Sequence, residues 1–482
     1  MWIAVKGCQV SKTEDARVTA DFGRVAIYTA EHPRKSGGRG GHMTADGYKI
    51  GVRGCQHLGY AARNMRLART TGWNQRIVDG HIAHGLIMHD MVNAGVDGIV
   101  DGGDLSHWNK PIPRDIEIAN RVDDLRVSAG IWAIANSGNH CAGSGSDLSA
   151  MSIMHRPHLG MNAVYPDPKR GPGDGPGPHP GLYEIHRPVD GLALHFVSHY
   201  GLDKSLADSG IRIDPEPLPG NVNLLFCHGV FDADGRLYQC INPHGEERPI
   251  PGDWAHRGWD AVLLSHYHTA GPIPGFGNAG QCQVWYTGSA LTRGFADEPG
   301  PRGWLLVTVH GPGAVDIEMR TIWQRPQFEL AAIDATELSP TDLDDILTAN
   351  ITAIPLADQE SALISGDGGA IVRQVIRNTS PAQRQALSAR AGRYANLARD
   401  AAWWNIAYEQ RIDAPVPSGG SRPGRDLTRR YTDFAAELRL RADHLVKAAK
   451  VPSRMRQPVL EQAVCWASEI NSAELAETDR QV

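Results

Sequence analysis

Three things are missing from this chain, and each absence removes a class of answer. Its 482 residues contain no run approaching the roughly 18 uninterrupted apolar residues of a membrane-spanning helix. The opening MWIAVKGCQVSKTEDARV has no basic segment followed by a long apolar one, so it does not read as a secretory leader. The cytoplasm is the expected location, with no membrane partner. Cysteine is scarce: there are seven, an odd number, with no C-x-x-C pair. That argues against a disulfide framework or a zinc ribbon and suits a reducing compartment.

What is present is a soluble, globular composition long enough for roughly two to four folding units. The net charge of −6 is uneven, because residues 373 to 457 hold 17 Arg and Lys against 7 Asp and Glu while the rest holds 31 against 47. A basic stretch of that kind is either a solvated helical face or a surface that meets nucleic acid or an acidic partner.

Residues 1–45 read as an extension with one strand at 25–30 and a flexible joint, RKSGGRGGH. From Tyr48 the pattern becomes strand (YKIGVRG), loop (CQHLGY), helix from about Trp73 to Asn93, and strand (VDGIVDGGD). Further strands are expected at IWAIAN, LALHFVS, VNLLFCH, DAVLLSH, QVWYTG and WLLVTV. Few long helices follow residue 130, so the core over 46–330 reads as a layered α/β fold with two packed sheets. The stretch 165–181, YPDPKRGPGDGPGPHPG, is a loop by composition. A small α/β unit is expected over 331–414, where AIVRQVIRN and AWWNIAYE flank a helix opened by the capping box of Ser380, Pro381 and Gln383. Residues 415–482 read as a linker followed by a helix with the stripe Leu427, Tyr431, Phe434, Leu438 and Leu445 and a second, shorter helix.

The ends of the core strands carry a recurring payload. In chain order they offer Cys55-Gln-His57, then Asp104 and His107 in GGDLSHWNKP, Asn139 and His140 in SGNH, His228 in FCHG, and His266 and His268 in SHYH. Each fragment alone is common; a lone H-x-H is usually a surface or packing pair. Five fragments in order, each at a strand's C-terminal end, form the ligand set of a dinuclear site for hard to borderline divalent metals.

The order D-x-H, GD-x-x-H, GNH, H, GH-x-H resembles that of the calcineurin-like metallophosphoesterases. GDLSHWNKP, FCHG, SHYH and YTGSALTRGF resemble the SbcD-type DNA-repair nuclease subunits within that superfamily. The resemblance implies a phosphodiesterase core at 46–330, a DNA-capping domain at 331–414 and a C-terminal region that binds a coiled-coil ATPase of the SbcC type. It implies a homodimer acting as exonuclease or endonuclease on duplex DNA ends or hairpins. One metal would be held by Cys55, His57, Asp104 and His268, and the other by Asp104, Asn139, His228 and His266. His140 would act near the leaving group and His107 would orient the scissile phosphate. Manganese is the metal the family implies.

Three departures qualify this. Cys55 stands where the family has aspartate, Cys141 where an acidic residue usually follows GNH, and Ser265 where GH-x-H has glycine. A thiolate is softer than a carboxylate and shifts preference toward zinc or iron(II). Cys141 could weaken the orientation of His140. Two other readings stay open: a small-substrate metallophosphodiesterase, and a nuclease-dead scaffold that binds DNA ends. Other residues read as structural: His81, His84 and His89 as surface or packing histidines on the first helix, His195 and His199 as flanks of a strand end, at least one of Trp403 and Trp404 as core, and Lys169 and Arg170 as a solvated pair.

Overall fold

In the computed structural model of the protein, the runs rich in Val, Ile, Leu and aromatic residues become two six-stranded sheets. The structure describes residues 47–409, apart from 63–64, 66, 69–70, 142–149, 168–175, 207–209, 234–235, 238–247, 278–281, 296, 298–299, 356–363, 365–368 and 400–401. The strand expected at 25–30, the joint after it, the linker, both C-terminal helices and the pair Lys169 and Arg170 lie outside the described residues, as do the side chains of Trp403 and Trp404.

The first sheet begins with β1 (Tyr48–Arg53), β2 (Gly98–Asp101), β3 (Trp132–Asn136) and β4 (Met161–Val164), with α1 (Gln75–Asn93), α2 (Pro113–Ser128) and the short α3 (Met151–Met154) in the connections. These four strands are parallel. The chain then builds β5 (Tyr183–Val189), β6 (Leu192–Val197), α4 (His199–Leu206) and β7 (Val222–His228). A three-stranded annex of β8 (Val230–Ala233), β9 (Arg236–Leu237) and β10 (Pro249–Pro251) precedes β11 (Ala261–Ser265), β12 (Ala270–Pro272) and β13 (Gln283–Thr287). The second sheet runs β12-β13-β11-β7-β6-β5. Finally β14 (Gly303–Gly311) and β15 (Ala314–Thr321) return antiparallel beside β1, giving the first sheet the order β15-β14-β1-β2-β3-β4.

Period-two alternation sorts the side chains into layers. Ile50, Val52, Val100, Ile134 and Leu305 from one sheet pack with Leu194, Phe196, Leu224, Phe226 and Leu263 from the other in a shared core. Phe196 and Phe226 stack there with ring centroids 4.9 Å apart. The alternate residues Ile99, Ala133 and Ala135 pack with Ile87 and Met91 of α1 and Ile118 and Val122 of α2. On the far face Leu225, Cys227, Val262 and Leu264 lie with Trp254 and Trp259. The expected layered fold of two sheets with flanking helices is therefore what forms. Sequence reading passed over α2, whose run PRDIEIANRVDDLRVS is too charged to stand out, although its Pro113 opens the helix and Ile118 and Val122 face inward at helical spacing.

After β15 comes a parallel three-stranded sheet of β16 (Gln327–Asp334), β17 (Ala370–Arg377) and β18 (Ala402–Glu409). The Ser380–Gln383 capping box opens a helix over Pro381–Ala389 as the sequence suggests. The sequence reading missed β16 and α5 (Pro340–Thr352), itself started by a Ser339–Asp342 capping box. Among the described residues no helix is long and apolar enough to cross a membrane.

One buried ionic cluster joins the approach to this three-stranded sheet to the core. Arg325 donates to both carboxylate oxygens of Asp79 on α1, at 2.7 and 2.8 Å, and to the Gly369 carbonyl at 2.7 Å. Arg76 and Gln75 donate to the same carboxylate at 3.0 Å each. Burial alone would raise the Asp79 pKa, but the hydrogen bonds and charge of Arg325 outweigh it and hold the carboxylate below its ordinary range. Asp79→Ala, which strands two buried guanidinium groups, is expected to cost about 3–5 kcal/mol in stability, read as a drop in the urea midpoint. A variant as stable as the parent would contradict this role for the cluster.

Candidate metal centre

All the payload residues lie at the C-terminal ends of central strands. Cys55 and His57 follow β1, Asp104 follows β2, Asn139 and His140 follow β3, His228 ends β7, and His266 and His268 follow β11. Among the described residues four non-glycine positions have positive φ, and three of them are here: His57 at 47°, Asp104 at 54° and His266 at 114°. Backbone strain at these turns, of order 1–3 kcal/mol each, is what aims the side chains inward. Two glycines make the space. A Cβ on Gly138 would stand 2.2 Å from Asp104 Oδ1, and one on Gly103, at φ 119°, would stand 2.3 Å from His228 Nδ1.

The hydrogen bonds fix which atoms face the centre. His228 Nδ1–H donates to the Gly102 carbonyl at 3.0 Å, so its Nε2 is the ring atom turned to the centre. That Nε2 lies 3.3 Å from Asp104 Oδ2 and 3.1 Å from Asn139 Oδ1, while His266 Nδ1 lies 3.2 Å from the same amide oxygen. On the other side Asp297 accepts from His268 Nδ1 at 2.5 Å, which turns the Nε2 lone pair of His268 toward His57 Nε2 at 3.0 Å. Cys55 shares one cluster with His57 and His268 and another with Asp104 and His228, each with its candidate ligand atoms within 4.8 Å of one another. One thiol, one carboxylate and several imidazole nitrogens gathered within these distances are a donor set that fits a divalent cation.

The outer supports are equally defined. Asp297 is gripped by Arg302 at 3.2 Å and by the Arg293 backbone N–H at 2.8 Å, completing a carboxylate-histidine pair of the kind that orients metal ligands. Sequence reading missed Asp297; the only signal was a carboxylate just beyond the quoted YTGSALTRGF. Ser265 is accommodated through a 2.7 Å hydrogen bond with Thr287. Cys141 sits fully buried in the apolar layer beneath the first sheet. His140 is held by two bonds: its backbone N–H donates to Asp104 Oδ1 at 2.8 Å and its Nδ1–H to the His107 carbonyl at 2.8 Å. The His107 and His140 rings stack at 5.0 Å, half-buried at the mouth of the centre.

The structure thus brings every residue read from the sequence into one place. Of the histidines set aside, His195 is a packing residue bonded to Tyr183 and Asn223, at 2.8 and 3.1 Å. His81 and His84 are buried on α1, while His89 pairs with Asn93 near its end. His199, by contrast, stands edge-on to His228 with centroids 6.2 Å apart, closer to the centre than its place in the sequence suggested.

This arrangement can be set against known proteins. No protein-family profile matches the chain. The DNA double-strand break repair protein Mre11 of Haloferax volcanii is 27% identical over 252 residues, covering 52% of this chain and 48% of that protein. The described core has the two packed, helix-flanked sheets that the resemblance read from the sequence implies. The chain spans about half the length of the relative it matches, 48%. Among solved structures, purple acid phosphatase PPD1 from yellow lupin (Lupinus luteus) seeds aligns with a TM-score of 0.34 at 12% identity, covering 58% of this chain and 52% of its own. A dimetal phosphatase from Danio rerio aligns with a TM-score of 0.32 at 10% identity, covering 55% of this chain and 93% of its own.

Without metal, five histidines in and around this centre resist protonation. Burial, then the charge of neighbouring groups, pulls His57 and His84 well below their ordinary range, His107 and His199 down to about 4 and His266 to about 3. His228 goes the other way: burial opposes its protonation, but the Asp104 carboxylate outweighs that and raises it. Five depressed groups against one raised set the sign. Stability present above the ordinary histidine value of 6.5 is lost as pH falls toward about 4, because the unfolded chain binds protons that the fold refuses. Urea denaturation in EDTA across that range is expected to show a steadily falling midpoint; a flat or rising one would contradict the arrangement.

Proposed function

We propose that the chain is a metal-dependent phosphodiesterase that cleaves DNA. The observation that carries the reading is the convergence of candidate ligand atoms on Asp104 from both sheets, supported by the similarity to a DNA repair protein. In this reading Cys55, His57, Asp104 and His268 hold one divalent ion, and Asp104, Asn139, His228 and His266 hold the second, with Asp104 shared. When bound, such a pair supplies a strongly nucleophilic water at neutral pH and neutralises charge on the phosphate.

The protein's own residues supply the rest. Asp297 holds His268 in the tautomer that presents Nε2. The Gly102 carbonyl does the same for His228. His140, with Nδ1–H committed to the His107 carbonyl, has Nε2 for the departing oxygen, and the stacked His107 ring limits where the scissile phosphate can lie. Manganese is the metal we infer from the family resemblance, with zinc or iron(II) favoured to the extent that Cys55 ligates.

The basic segment 373–457 is proposed as a sequence-independent DNA contact, in a homodimer working with a coiled-coil ATPase of the SbcC type that binds the C-terminal region. In the described part of that segment Arg373 pairs with Glu329 and Arg393 with Asp344. A cleft built for a small phosphate ester would have no use for such a segment, which favours the nuclease reading over the small-substrate one.

His228→Ala removes a proposed ligand from a polar cleft. It is expected to lower cleavage of linear duplex, hairpin and single-stranded DNA by at least about a hundredfold, more than is typical for loss of an outer support. Circular dichroism of the variant should match the parent; equal cleavage rates would sink the site assignment. Cys55 is tested separately. Cys55→Asp should retain both ions and move the rate preference toward manganese, whereas Cys55→Ala should retain one ion per chain by elemental analysis. A Cys55→Ala protein with two ions and full rate would make the cysteine a bystander.

A further inference from the structure

Trp108 follows directly on the His107 that stands at the mouth of the centre, and it is 53% exposed, the only aromatic among the large apolar side chains left exposed in the described residues. It is not loose. Its Nε1–H donates to the Gly59 carbonyl at 3.3 Å, and its ring stands edge-on to His107 with centroids 4.7 Å apart. The peptide beneath it is fixed as well, since the Ser106 hydroxyl donates to the Trp108 carbonyl at 2.8 Å. Tyr60 flanks His107 from another side, edge-on at 5.1 Å. The Arg293–Gly294 turn closes the group: a Cβ on Gly294 would lie 3.9 Å from the Tyr60 hydroxyl, and the Arg293 side chain is 30% exposed. Two aromatic rings and a guanidinium therefore border the histidine pair where a phosphate would enter.

An indole held rigid with half its surface in water forgoes burial that the fold elsewhere secures for its large side chains. Pre-orientation of this kind lowers the cost of stacking on a planar ligand. A cation beside aromatic faces is also the combination that single-stranded nucleic acid uses, with the charge on the backbone and the rings on the bases.

Resting on the DNA-cleaving reading above, we propose that Trp108 is a stacking platform for an unpaired nucleobase next to the scissile phosphate, with Tyr60 and Arg293 completing the rim. The substrate class is thereby narrowed to DNA whose bases can leave the stack at the cut, such as single strands, frayed ends or hairpin loops. A duplex interior, with every base stacked on its neighbours, would leave the indole without a ligand.

The test separates base from backbone and binding from chemistry. Fluorescence anisotropy in EDTA compares a labelled oligothymidylate with an abasic oligonucleotide of the same length. Trp108→Ala is expected to weaken binding of the oligothymidylate about tenfold, in line with the stacking contribution of one base, and to change binding of the abasic strand less than about twofold. Trp108→Phe, which keeps a ring, should recover most of the loss. Equal weakening on both strands, no weakening on either, or no measurable binding of either strand by the parent protein overturns the proposal. Failure of the nuclease reading appears elsewhere: a manganese-loaded parent protein that binds with this Trp108 dependence yet cleaves no DNA would sink that reading and leave the platform standing.

Discussion

Everything in the centre is arranged around the carboxylate of Asp104. One oxygen accepts the His140 backbone N–H at 2.8 Å, the other faces His228 at 3.3 Å, and the residue's own carbonyl accepts from the backbone of Gln56 and His57 at 3.1 and 2.9 Å. These contacts tie the loops after β1, β2 and β3 to the end of β7, so that the two sheets meet at this residue. Burial by itself would push the Asp104 carboxyl up, and the charge and hydrogen bond of His228 reverse that, holding it well below its ordinary range. A buried anion of this kind is tolerated only with compensating positive charge. The left-handed turn at φ 54° and the bare faces of Gly103 and Gly138 are the local costs of placing it.

Those costs are met by the layered core. Ile50, Val52, Phe196, Phe226 and Leu263 are at most 1% exposed, and strands anchored so firmly can end in strained turns without fraying. The same logic explains why the orienting bonds come from fixed groups. The Gly102 carbonyl aligns His228 from the end of β2, and Asp297 aligns His268 while itself fastened by Arg302. Ligand direction is thus set by the backbone and by buried ion pairs, and not by long side chains free to swing.

How much of this was legible beforehand depends on how far apart the cooperating residues are. The strands announced themselves because buried parallel strands read as continuous apolar runs, and VNLLFCH matches β7 from end to end. Cys55, His57, Asp104, Asn139, His140, His228, His266 and His268 were legible because short spacing at strand ends is local information. Asp297 was not, since its pairing with His268 spans 29 positions and follows from the register of β11 with β13. Nor was the Asp79–Arg325 bond, which spans 246 positions and links a helix to the approach of another sheet. The role of Trp108 also hid in plain sight, because an exposed aromatic beside a motif looks like any surface residue until its ring is seen fixed against His107.

In the proposed reading, Cys55 would change one ligand type while the geometry around it is kept. Its backbone is pinned, with its carbonyl accepting from Ala290 at 3.1 Å, so the side chain at this position is committed to the neighbourhood of His57, His268 and Asp104 whatever it is. Burial, and then the nearby Asp104 charge, push its thiol well above the ordinary range. An aspartate in the same place would set a second carboxylate beside Asp104 in a dry site, where like charges repel strongly. The neutral thiol avoids that repulsion when no cation is present. In the proposed reading it then surrenders its proton as a dication enters, so that loading is coupled to proton release and is stronger at higher pH. On that reading a cysteine here would trade a standing anion for one formed on demand, lowering the electrostatic strain of the metal-free fold and making metal binding at this position pH-dependent.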